Sequence, residues 1–120
     1  MDKLLIVLTA GMDQPKLART ALMFAAISAS MGVKTTLYAV QDAIDVLVEG
    51  VAEKETPKPN GASIKQRLEE AIRHGVVLDV CETACAAKKI KQENLVEGAK
   101  IAGAATLIDL ALDSDSVLCF

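Results

Sequence analysis

Two cysteines four residues apart, Cys81 and Cys85, are the side chains whose type and spacing could do chemistry. They lie in the stretch Gly75–Lys89, GVVLDVCETACAAKK, which begins as apolar strand residues and delivers Cys81 where the strand stops. A helical pattern starts at once and carries Cys85. A thiol in that place stands outside the carboxyl end of a strand, where open α/β sheets put their ligands and chemistry. It also stands at a helix N-terminus, whose unpaired N–H groups favour thiolate over thiol. Cys85, one turn further along the same helix face, could accept a sulfur atom from Cys81 or resolve an oxidised form of it. The blander reading of Cys85 is a small residue packed in an Ala-rich helix, as free cysteines often are. Asp79 and Glu82 flank Cys81 and oppose a thiolate if their carboxylates point inward.

The remaining candidates are weaker. Cys119, one residue from the end of the sequence, reads as a core or interface residue of a last strand. The only histidine, His74, falls in the last turn of a helix before Gly75, where a polar side chain complements exposed carbonyls. C-x-x-x-C is not the thioredoxin-like C-x-x-C, and no second Cys/His pair completes a zinc site, so no metal is expected. The loop Ala10–Asp13 (AGMD) carries neither phosphate-binding glycine pattern, and no cofactor is expected either. Lys88, Lys89 and Lys91 read first as a solvated face and second as an attractor of anionic sulfur or an acidic partner.

The elements that must position these residues alternate through the whole chain. Leu4–Thr9 is an apolar run of strand length, and Pro15 suits the first turn of a helix that runs to about Ala29 and stops at Gly32. Its apolar residues cover more than one face, which predicts burial on several sides. Val33–Val40 reads as a second strand, Asp42–Val48 as a short helix, and Glu49–Ala62 as the longest and most mobile loop, with Pro57, Pro59, Asn60 and Gly61 as its turn signals. The part Glu49–Gly61 is the candidate lid over Cys81. Ser63-x-x-Gln66 is a capping box opening the next helix, with Gly75 as its terminator. Val76–Val80 is the third strand, Ala99–Ile101 a fourth, Gly103–Leu112 a helix and Ser116–Phe120 a fifth strand. The pattern predicts an α/β layered domain over residues 1–120 with a mostly parallel sheet.

Composition narrows the partners. Net charge is −3 with scattered Lys and Arg, and there is no Trp, one Tyr and two Phe, which excludes both the electrostatic footprint and the stacking platform of a nucleic-acid binder. Hydrophobic residues make up 52%, and some of that surplus is expected between subunits. The strand-like run after Asp2 and Lys3 predicts no secretory signal, and the most apolar longer stretch, Ala21–Met31, is too short to span a bilayer. Three cysteines are no disulfide framework. A cytoplasmic protein with reduced thiols is the expectation.

Beyond these readings, HGVVLDVCETACAAKKI (His74–Ile90) resembles the cysteine segment of the DsrE/TusD/YchN sulfur-relay family. There a strand ends in a cysteine and is followed by an Ala-rich helix and basic residues. The opening residues Leu4–Ile44 are similar to the family's first strand, loop, long helix and second strand, and Gly103–Phe120 to its terminal helix and edge strand. The resemblance implies a three-layer, flavodoxin-like or Rossmann-like sandwich of about five mostly parallel strands that assembles into trimers or hexamers. It implies a persulfide on the cysteine at the position of Cys81, received from a sulfur-donor protein and passed to an acceptor protein for tRNA thiolation or oxidation of stored sulfur. A cysteine at the place of Cys85 is not uniform in the family, so a two-cysteine mechanism would be particular to this chain. Two alternatives stand beside it: a non-catalytic binding or assembly module, and a Cys81/Cys85 dithiol redox protein.

Overall fold

The computed structural model describes residues 2–56 and 61–120; of the turn signals above, Pro57, Pro59 and Asn60 lie outside the described residues. Five strands, β1 (Lys3–Leu8), β2 (Lys34–Ala39), β3 (Val77–Cys81), β4 (Ala99–Ala102) and β5 (Ser116–Cys119), form one sheet in the order β4-β3-β2-β1-β5. All four pairings are parallel. Parallel strands need crossovers, and the helices that make them cover both faces.

One face carries Leu4, Ile6, Leu8, Leu37, Ala39, Leu78 and Val80 and packs against α1 (Pro15–Ser30) and α2 (Ile64–Arg73). The buried stripe of α1 is nearly all alanine, with Leu22, and lets α2 approach through Ala71. Within the single chain, α1 is not buried on several sides. Leu17, Phe24 and Ile27 are at least 40% exposed, because α1 has the sheet beneath it and α2 only on one flank. Ser63 and Gln66 close the capping box of α2, each accepting a hydrogen bond from the other's backbone N–H.

The opposite face carries Leu5, Val7, Tyr38, Asp79, Cys81 and Ala102, and the helix on it is α4 (Ala104–Asp113), through Leu107, Leu110 and Ala111. The outer side of α4 leaves Ile108 58% and Leu112 82% exposed. Residues Gln41–Leu47 form a 3-10 helix rather than an α-helix; Gln41 enters it at φ 50°. Gly11 is pressed against this segment: a Cβ there would stand 2.4 Å from the Asp42 carbonyl oxygen, so the β1–α1 loop requires glycine.

The described part of the Glu49–Gly61 segment is built into the fold. Ala52–Lys54 is a 3-10 turn, and the Glu55 carboxylate receives the Arg19 guanidinium of α1 and the Ile64 N–H at the start of α2. No described helix is long and apolar enough to cross a membrane.

Candidate functional site

Strand β3, next to the edge strand β4, delivers its last residue, Cys81, as the N-cap of α3 (Glu82–Ala87), as the strand-to-helix reading anticipated. The three cysteines then part company. Cys81 is half-buried, Cys85 is buried, and Cys119 is exposed on edge strand β5 rather than in a core. Cys119 escapes burial because β5 has a partner on one side alone and all four of its residues are exposed.

Side chains alternate along a strand, so Val77, Asp79 and Cys81 share the α4 face of β3. Register extends this row across the sheet: Lys100 of β4 pairs with Asp79, Asp79 with Tyr38, and Tyr38 with Val7. One step toward the carboxyl edge, Cys81 pairs with Ala102. The Tyr38 hydroxyl, fully buried, donates to the Ala102 carbonyl at 2.7 Å and the Gly103 carbonyl at 3.0 Å. Its pKa is pushed up to about 12, by burial first and then by the neighbouring thiol of Cys81 and carboxylate of Asp79.

Asp79 is 2% exposed, and its Oδ1 has no hydrogen-bond partner. Burial raises its pKa, against the opposing pull of Lys100. Cys85 is likewise raised, chiefly by burial and next by the charge that Cys81 can carry. The two thiols are therefore neighbours with opposite access: Cys81 meets solvent and Cys85 is a buried member of the core cluster. Glu82 is exposed on the first turn of α3.

Lys88 does not stand free for an anionic substrate. Its ammonium is shared by Asp42 at 3.2 Å and Asp45 at 3.1 Å, which ties the end of α3 to the 3-10 segment after β2. Hydrogen bonding to Asp45 leads the causes that raise its pKa. His74 is the C-cap residue of α2, at the opposite end of β3 from Cys81. Among the described residues no three His, Cys, Asp or Glu side chains gather to hold a metal ion.

The hydrogen-bonding place of Tyr38 is missed from the sequence, whereas the inward-pointing Asp79 weighed there is the arrangement formed. The available signal was a lone tyrosine and a lone carboxylate inside otherwise apolar or β-branched strands, a place where a buried polar group needs a reason.

With this geometry in view, the comparisons agree with each other. The model of the DsrE/DsrF-like family matches residues 2–120. An uncharacterized protein of Methanocaldococcus jannaschii, MJ0989, is 30% identical over 118 residues, covering 98% of this chain and 99% of that protein. The crystal structure of the ychN protein from E. coli superposes with a TM-score of 0.84 at 23% identity, over 100% of both chains. A protein of unknown function from Methanobacterium thermoautotrophicum, MTH1491, superposes at 0.71 with 13% identity, again over 100% of both chains. These superpositions carry the fold and nothing finer.

Proposed function

The chain belongs to the DsrE/DsrF-like family, and on that premise we propose that it is a sulfur carrier, holding a persulfide on Cys81 and passing it between partner proteins. The observation that carries the reading is the position of Cys81: a half-buried thiol at the carboxyl end of β3, open to a partner on one side and packed on the other. A carrier needs both properties, since the sulfur must be reached by a partner's thiol and shielded from small reductants.

The chemistry needs no oxidant. The Cys81 thiolate attacks the outer sulfur of a donor persulfide, the donor's S–S bond breaks, and the donor leaves as a thiolate that takes up a proton. Delivery repeats the step in reverse: an acceptor thiolate attacks the outer sulfur held on Cys81, and Cys81 leaves as thiolate. Cys85 is next in line as a relay or resolving thiol, but its burial requires α3 to open first.

The protein is further proposed to act as a homo-oligomer in the cytoplasm. Exposed Phe24, Ile27 and Met31 of α1 and its cap, Ile108 and Leu112 of α4, and Val117 and Leu118 of β5 supply apolar surface for subunit contacts. The three cysteines being free suits a reducing compartment.

Incubation with inorganic polysulfide or a loaded sulfurtransferase, followed by peptide mass spectrometry, tests the central claim. A 32-Da adduct (roughly one sulfur atom, on a thiol that Cys81→Ser removes) is the expected result. A folded protein in which Cys81 gains no sulfur overturns it.

A further inference from the structure

Tyr38 starts on β2, and the carbonyls that its hydroxyl reaches belong to Ala102 at the end of β4 and to Gly103 just beyond it. Strand β3 lies between β2 and β4. The tyrosine side chain therefore crosses over β3, on the face where Asp79 and Cys81 are successive side chains. Its endpoint, Ala102, is the residue in register with Cys81. The crossing packs Cys81 against the cluster that Tyr38 forms with Leu5 and Ala102, while the hydrogen bonds the phenol makes go to the two carbonyls.

A phenol has one proton and two lone pairs. With Cys81 as a thiol, the Tyr38 proton serves the carbonyls of Ala102 and Gly103, and the S–H can donate to the free lone pairs. An anionic sulfur has no proton to give and needs a donor, and a bond to an ion is roughly twice as strong as one between neutral groups. We propose that Tyr38 is the hydrogen-bond donor to anionic sulfur at Cys81, its hydroxyl turning from the Ala102 and Gly103 carbonyls to the sulfur when Cys81 becomes a thiolate or a persulfide.

Besides the first-turn N–H groups of α3, the side chains packed around the sulfur leave this task to Tyr38. Helix α4 offers that face Leu107, Leu110 and Ala111, which cannot donate, and Val40, just past β2, adds another apolar side chain. Helix α3 offers Glu82, an exposed carboxylate, and Cys85, a buried thiol. Lys100 of β4 is in register with Asp79, one row below Cys81. Asp79 itself is buried with an unbonded oxygen, and burial favours its neutral acid, which softens the repulsion it would exert on a nearby anion. The carbonyls given up lie at the end of edge strand β4, beside half-buried Gly103, where water can take the hydroxyl's place.

The inference rests on the persulfide reading only for its second arm. Tyr38 is the single tyrosine and there is no tryptophan, so the near-ultraviolet tyrosine band reports this one hydroxyl. Tyr38 ionises only near 12, leaving a wide alkaline range in which the band follows hydrogen bonding alone. The test uses the full chain with exposed Cys119→Ser, so that labelling and titration centre on Cys81. On raising the pH the band shifts to the red as the Cys81 thiolate forms, and the shift is absent with Cys81→Ser. Loading Cys81 with polysulfide at neutral pH gives the same shift. In Tyr38→Phe, the midpoint of the alkylation profile of Cys81 against pH moves up by about one pH unit. A band unmoved by thiolate formation overturns the proposal, and so does a folded Tyr38→Phe with an unshifted midpoint. Should Tyr38→Phe not fold, the band of the unaltered tyrosine decides. If polysulfide leaves Cys81 unmodified while the alkaline shift appears, the persulfide reading fails and the Tyr38 assignment stands.

Discussion

Cys85 should be protected from alkylation far more than its spacing from Cys81 suggests. It is 1% exposed, and its thiol is held in the neutral form by burial. A reagent reaches it only after α3 lifts from the core. Exposing that one side chain costs about 2 kcal/mol, taking roughly 80 Å² at about 25 cal/mol per Å². An equilibrium opening of that cost slows labelling about 30-fold relative to an open thiol. The link from Lys88 to Asp42 and Asp45 helps hold the helix end down. With the Lys88 side chain 36% exposed, its contribution is about 0.5 kcal/mol. Lys88→Ala should therefore raise the Cys85 labelling rate about twofold and leave Cys81 unchanged. Time-resolved iodoacetamide labelling with peptide mass spectrometry reads all three thiols in one experiment, in the expected order Cys119, Cys81, Cys85. Labelling of Cys85 at the Cys81 rate in the native protein would refute the reasoning and restore the dithiol redox reading.

Three further outcomes follow from the packing. Gly11→Ala drives a Cβ to 2.4 Å from the Asp42 carbonyl oxygen, and should cost about 1–3 kcal/mol in urea denaturation; a neutral result would mean that the loop yields freely. Burial raises the folded pKa of Asp79 above 3.8, so the folded state keeps a proton that the unfolded chain releases, and its contribution to stability falls as pH rises from 3.8 through the folded value. Asp79→Asn removes that loss, so its Tm relative to wild type should climb as the pH rises above 3.8, and a flat difference would count against a buried carboxyl there. Leu112→Glu, at an 82% exposed position, should leave the fold intact while lowering the mass measured by light scattering; an unchanged mass would remove α4 from the subunit contacts.

The strand-and-helix skeleton was legible because each element states its period locally. Apolar runs such as Leu4–Leu8 declare buried parallel strands, and Ser63 with Gln66 announces a helix start that the structure forms with both reciprocal bonds. Cys81 was legible for the same reason, since the end of a strand and the start of a helix meet at one residue. The features missed were those whose fate depends on neighbours distant in sequence. The apolar faces of α1 were expected to be covered and remain open within the single chain, because hydrophobicity does not say how many elements will pack against a helix. Cys119 was expected in a core or an interface, and the strand order rules out the core by putting β5 at an edge. Lys88 is exposed, as its first reading had it, and what the sequence left out is that the 3-10 segment brings Asp42 and Asp45 to it.

Tyr38 marks the physical limit of such reading. Its strand was identified, and nothing local distinguishes it from any aromatic strand residue. Its meaning arises from two facts that no window of sequence contains: β3 lies between β2 and β4, and the register sets Tyr38 opposite Asp79 and Ala102 opposite Cys81. A one-residue slip in either pairing would turn one partner to the other face of the sheet and leave the phenol without its crossing. The buried Asp79 strengthens the inference that this row is more than packing. An apolar residue at that position would complete the core without an orphaned oxygen, and a buried carboxyl with no partner is costly. Such a cost is tolerated most readily where a polar group serves the chemistry beside it, and beside Asp79 on its face of β3 stands Cys81.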